Sequence, residues 1–305
     1  MSSFDAFALI LALIALGLLL ARARVLPDNA AESLNLFAIY LCLPAAVLRY
    51  VPGLTLDLSL IGLALTPWIL MGATILLVLA VKKPLKLSRD HMTALFLCVG
   101  FCNSSFLGFP MTEALLGEDA VAYAVVYDQF GSFMLLSTVG LFILARHSGS
   151  ALGFRPIFAR MVRFPAIWAL LIGLTIYPKE PPALLNTLVD SLAASLVPIV
   201  MVAIGLNLKF RMPREELAPF AFGLVARLVI LPIIALGVGL AFGMPSLMLR
   251  VNILESAMPP MVTAAALAAS EGIAPRLGSA LVGYGLLLSI LTLPLITFLF
   301  EWAAL

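Results

Sequence analysis

Long apolar stretches, separated by short polar or basic loops, follow one another along the whole chain. A helix needs about 20 apolar residues to cross a bilayer core. By that measure, spans fall near residues 4–21, 32–50, 59–81, 119–145, 164–177, 187–208, 217–242 and 276–300. Two further apolar stretches, 92–117 and 248–270, are interrupted by Asn, Gly and Pro. The pattern predicts an all-α membrane protein of ten transmembrane helices with no extramembrane domain. The first span reads as a retained helix rather than a cleaved leader, because Asp5 precedes it and Arg22 and Arg24 follow it.

Composition agrees. Of 305 residues, 63% are hydrophobic and 11% charged, and the mean hydropathy is +1.14. Soluble domains average roughly 45–50% apolar and about 25% charged residues. These values exclude a water-soluble enzyme and a disordered regulator. A net charge of +2 gives no basic footprint for nucleic acid. Three cysteines cannot form a disulfide framework.

Basic residues set the expected sidedness. Of 18 Lys and Arg residues, all but Arg49, Lys179, Arg227 and Arg250 fall in the loops after spans 1, 3, 5, 7 and 9. The positive-inside rule makes those loops cytoplasmic and both termini extracytoplasmic. The location implied is the cell membrane. Arg227 lies within span 8, near its cytoplasmic end, and is read as snorkelling, with attraction of the substrate as the alternative. Asp190 and Arg250 are read as solvated or helix-capping, and His91 and His147 as loop residues.

The basic loop 146–163 divides the chain into 1–145 and 164–305, five spans each. An odd number of spans per half forces the halves into opposite orientations, so the expected architecture is an inverted repeat. Pro44 and Pro198, Pro110 and Pro260, and Gly131 and Gly283 recur at similar offsets between the halves. The interruptions fall at Pro110 in span 4 and at Pro259-Pro260 in span 9. Each proline lacks an N–H for the carbonyl four residues back. In hydrocarbon a freed carbonyl persists only where protein or water satisfies it. Each span is therefore expected to be two half-helices, with new N-termini near Phe109–Met111 and Pro260–Val262.

Paired broken helices in two inverted halves are the best pointer in a sequence to a transporter site. Their N-terminal ends favour an anionic group. Asn103, Ser104 and Ser105 offer an amide and hydroxyls beside the first break; they either hydrogen-bond a carboxylate or cap freed backbone. Gly108, Pro110, Met258, Pro259, Pro260 and, more weakly, Thr263 complete the candidate substrate-binding set. Glu255, just before the second break, either binds a coupling proton or cation or braces the crossover as a hydrogen-bonded carboxyl. Asp128 and Gln129, inside span 5, are candidates for the same ion or for helix-to-helix bonding. Cys98 and Cys102 read as small packing residues. No catalytic residue, metal centre or organic cofactor is expected; a coupling proton or sodium ion is.

Asn103-Ser104-Ser105-Phe106-Leu107-Gly108-Phe109-Pro110 resembles the Asn-Thr-x-x-x-Gly-x-Pro crossover of the auxin efflux carrier family, which includes plant PIN auxin exporters and bacterial malonate and malate carriers. Glu255-Ser256-Ala257-Met258-Pro259-Pro260-Met261-Val262, Tyr127-Asp128-Gln129 and Leu43-Pro44-Ala45 are similar to other patterns of that family. The resemblance implies a scaffold part (spans 1, 2, 6 and 7) and a transport part (spans 3–5 and 8–10). It also implies an elevator-like carrier of organic anions, often a homodimer, in a fold shared with bile acid/sodium symporters. Phe164-Pro165 stands where many members have Asn-Pro, and Ser104 where Thr is common. The long hydrophilic loop of the plant exporters is absent, which argues against a hormone-transport role.

The expected function is secondary transport of a small carboxylate. The competing readings are a sodium-coupled symporter of an amphipathic anion and a channel or ligand-sensing relative. No nucleotide-binding loop, His-Glu-x-x-His or Gly-x-Ser-x-Gly motif supports ATP coupling or an intramembrane enzyme.

Overall fold

A backbone in hydrocarbon must satisfy its own hydrogen bonds, and the helix does so within one segment. The computed structural model, which describes residues 3–27, 29–52, 59–149, 164–178, 181–207 and 216–302, is accordingly all-helical. Its one β pairing among the described residues is an isolated antiparallel bridge between Cys102 and Pro260. In chain order the helices are α1 (Ser3–Ala23), α2 (Ala30–Tyr50), α3 (Ser59–Val81), α4 (Arg89–Gly100), α5 (Phe109–Leu116) and α6 (Glu118–Ser148). They continue as α7 (Pro165–Thr175), α8 (Ala183–Asn207), α9 (Leu217–Ala241), α10 (Ser246–Ser256), α11 (Val262–Ser270) and α12 (Pro275–Trp302). Among the described residues six helices, α2, α3, α6, α8, α9 and α12, are long and apolar enough to cross a membrane. The linker expected at 146–163 lies outside the described residues from 150 to 163.

Three prolines share one local device. Pro44, Pro110 and Pro232 each follow, after one intervening residue, a wide π-helical turn: Ala38–Cys42, Ser104–Gly108 and Ala226–Ile230. The carbonyl each proline would leave unbonded belongs to Tyr40, Phe106 or Leu228, and each of these lies inside the corresponding turn. Hydrogen bonding from i to i+5 lets a donor beyond the proline reach back, so the helix carries on. Pro110 therefore does not break span 4 where the sequence placed the break. The non-helical residues are Phe101–Asn103, and helical winding resumes at Ser104, five residues before the expected start. At α8 a different solution appears: Pro198 frees the carbonyl of Ala194, the last residue before a one-residue interruption at Ser195.

The chain forms two units that interleave along the sequence. One comprises Met1–Leu56, Ser105–Val125 and Ala159–Leu208. In it α1 and α8 meet at backbone contact, because Gly17 and Gly205 face each other. A Cβ on Gly17 would overlap the Val202 carbonyl oxygen, and one on Gly205 that of Ile14. Small residues allow such approach where lipid supplies no hydrophobic drive between helices. At one end of this unit Arg49 pairs with Glu118 at 3.1 Å and with Asp190 at 3.7 Å. Tyr50 there donates to Glu113 at 2.9 Å.

The other unit comprises Asp57–Ser104, Val126–Phe158 and Lys209–Leu305. Its core gathers Leu70, Met71, Leu95, Leu97, Phe101, Leu135, Leu231 and Leu281 around α4. Gly131 of α6 lies against the ring of Pro67 in α3, and the Trp68 indole donates to the Phe130 carbonyl at 3.2 Å. His91 and His147 sit on helices, not loops. His147 Nδ1 lies 2.9 Å from Thr93 Oγ1, and its Nε2 lies 3.4 Å from Asp90.

Candidate functional site

The second unit contains the meeting point of two interrupted helices. α4 ends at Gly100 and leads into an extended Phe101, while α10 ends at Ser256 and turns through Ala257 and Met258 before the two segments pair. Asn103 N donates to the Pro259 carbonyl at 2.9 Å, and Met261 N donates to the Phe101 carbonyl at 3.0 Å. Proline explains the choice of partners. Pro259 and Pro260 carry no N–H, so the helix cannot continue through them, and they contribute only carbonyls. Met261 is the extended cap from which α11 begins at Val262, within the start expected from sequence.

Helix C-terminal ends leave their last carbonyls unbonded. Arg227, from the π turn of α9, supplies donors to both ends. Its Nη1 donates to the Val99 carbonyl at 2.9 Å, and its Nη2 donates to the Ser256 carbonyl. The side chain is 1% exposed. Arg227 thus does not snorkel. It stands mid-way along a 25-residue helix, about 15 Å of rise from the start of α9 at 1.5 Å per residue, too deep for its stem to reach an interface.

Polar side chains surround this junction. Tyr127 OH and Ser256 Oγ are 3.0 Å apart. Cys102 Sγ donates to Tyr127 OH at 3.9 Å and lies 3.7 Å from Ser132 Oγ. Ser104 Oγ donates to one oxygen of Asp128 at 2.6 Å, and Gln129 Nε2 to the other at 2.7 Å. Asn252 Nδ2 bonds the Ala235 carbonyl at 2.9 Å. Glu255 is fully buried. Asn103, 2% exposed, makes no hydrogen bond through Nδ2 among the described residues, and Gln129 makes none through Oε1. Buried polar atoms are normally paired, so these two, with Asn252 Oδ1 and Arg227 Nε, leave hydrogen-bonding capacity open among the described residues.

Of the candidates read from sequence, Asn103, Ser104, Asp128, Gln129, Glu255, Met258, Pro259 and Pro260 are all buried in this unit. Thr263 is half-buried in the first turn of α11. Ser105, Gly108 and Pro110 belong to the first unit, in the π turn and the opening of α5. Sequence reasoning missed Arg227 as a member, as well as the roles of Tyr127, Ser132 and Asn252. Counting its depth in span 8 was the signal for Arg227, since a charge far from either helix end must face protein. Cys102, read as packing, sits in the polar cluster; Cys98 packs in the apolar core.

The chain is similar in sequence to known membrane transport proteins. A family model described as membrane transport protein matches residues 2–297. An uncharacterized transporter of Methanothermobacter thermautotrophicus is 30% identical over 302 residues, covering 97% of each chain. An uncharacterized transporter of Methanocaldococcus jannaschii is 24% identical over 220 residues, covering 68% of this chain and 70% of its own. The chain therefore belongs to the auxin efflux carrier family of membrane transport proteins.

Proposed function

We propose that the protein is a secondary active transporter of small organic anions, chiefly carboxylates, and not an enzyme. The observation that carries this reading is the paired interruption at Phe101–Asn103 and Ala257–Met261, buried and lined by polar side chains. Such a junction is costly in lipid and earns its place by handling a polar cargo. The N–H groups opening the winding at Ser104 and α11 at Val262 attract a carboxylate, to which the Asn103 amide donates. Ser104, Met258, Pro259, Pro260 and Thr263 shape that site. Glu255, with Asp128 and Gln129, takes up a coupling proton or ion.

The wider reading is ten spans in two inverted five-helix repeats, 1–145 and 164–305, in the cell membrane with both termini extracytoplasmic. The protein works as a homodimer by an elevator-type cycle. The distribution of basic residues supports the sidedness, and the division into two units supports separate scaffold and transport parts. The test is purified protein in liposomes, given labelled mono- and dicarboxylates under imposed proton and then sodium gradients. Gradient-driven accumulation of a carboxylate is expected. Flux that never exceeds equilibration would assign a channel instead, and accumulation driven only by sodium, with an amphipathic anion preferred, a symporter of the bile-acid type.

A further inference from the structure

We propose that Arg227 is a resident cation of the crossover: its guanidinium fastens the C-terminal ends of both interrupted helices and stands where their carbonyls would otherwise draw a metal ion. Each helix C-terminus carries about half a negative charge. The pairing of residues 101–103 with 259–261 brings two such ends together, a sum of about one negative charge. A monovalent cation matches it. The forked guanidinium presents two divergent Nη donors and a permanent charge. One Nη takes the Val99 carbonyl in the last turn of α4, the other the Ser256 carbonyl at the end of α10.

The placement depends on the helix that delivers it. Arg227 lies in the π turn that precedes Pro232, and such a turn alters which residues of a helix share a face. The turn that satisfies the proline's lost bond also aims the arginine. Full burial removes competing water, which makes the two charge-assisted bonds stronger than surface ones. A covalently held cation neither dissociates nor exchanges. The helix ends therefore need no sodium, and any coupling ion binds elsewhere. Glu255, buried one residue before Ser256, is the ionisable group at this helix end whose charge can change. This consequence for coupling rests on the transport reading above; the cation assignment does not.

The experiment is thermal unfolding of the full-length protein in detergent, in sodium chloride and in choline chloride at equal ionic strength. Arg227→Ala is expected to unfold several degrees lower in choline chloride and to recover on addition of millimolar methylguanidinium chloride. The same concentration of tetramethylammonium chloride, which offers charge without donors, should leave it unchanged, and Arg227→Lys should fall between. Arg227→Ala unfolding as late as the wild type in choline chloride would overturn the proposal, and where that variant cannot be purified, Arg227→Lys unfolding as late as the wild type would do so. Recovery absent with methylguanidinium, or equal with tetramethylammonium, would overturn it as well. No transport substrate enters these measurements, so their failure is distinguishable from failure of the transport reading.

Discussion

In the transport reading, Asn103 and Glu255 take separate tasks at one junction. The Asn103 amide is buried with Nδ2 unbonded among the described residues, so its partner is a cargo group in the transport reading. A hydrogen bond to a charged group contributes about 1.5–3 kcal/mol, so Asn103→Ala should weaken carboxylate uptake roughly 10- to 100-fold in KM. Its Tm should stay close to wild type. The same reading gives the charge change to Glu255. Glu255→Gln keeps the shape and the hydrogen-bonding capacity while fixing the charge at zero. The variant should assemble normally and exchange substrate, but lose its response to an imposed proton gradient; wild-type pH dependence in proteoliposomes would remove Glu255 from coupling. Arg227 gives the opposite lesson. Its residue type was plain in the sequence, but its role depended on partners 128 and 29 positions away along the chain.

At the scale of elements, the prolines of α2, α9 and the Ser104 segment are absorbed by π turns instead of breaking their helices. The Pro259-Pro260 pair instead ends a helix outright, because two consecutive residues lack donors. The first interruption has no proline within it. Its position at Phe101–Asn103 follows from pairing with residues 259–261, a long-range contact invisible to local pattern. Pro232→Ala tests the device directly: restoring the donor lets α9 wind regularly, turning Arg227 by about 100°, one residue's share of a helical turn. Transport should fall at least tenfold while the protein remains folded, as judged by circular dichroism and gel filtration. The Gly17–Gly205 contact allows a second test. Gly205→Val pushes a side chain into the Ile14 carbonyl, which is backbone and cannot yield. The cost should be about 1–3 kcal/mol, read as a lowered Tm with the substrate profile unchanged.

On the scale of the molecule, hydropathy located the helices well because bilayer thickness fixes their length. The spans expected at 59–81, 217–242 and 276–300 correspond to Ser59–Val81, Leu217–Ala241 and Pro275–Trp302. The division into units was not legible from hydropathy, since it interleaves three segments with three others. Most polar residues of the buried junction stood out in the sequence, because intramembrane Asn, Asp, Gln and Glu are costly and rare. What escaped was connectivity, namely which carbonyl Arg227 reaches and which side chains Tyr127 joins.

Substrate counterflow probes the junction as a transport site most directly. Proteoliposomes loaded with an unlabelled carboxylate are diluted into a trace of the same carboxylate, labelled. The wild type should accumulate label transiently above equilibrium, and Asn103→Ala should not. Counterflow of equal size in Asn103→Ala, or none for any carboxylate with the wild type, would contradict the account.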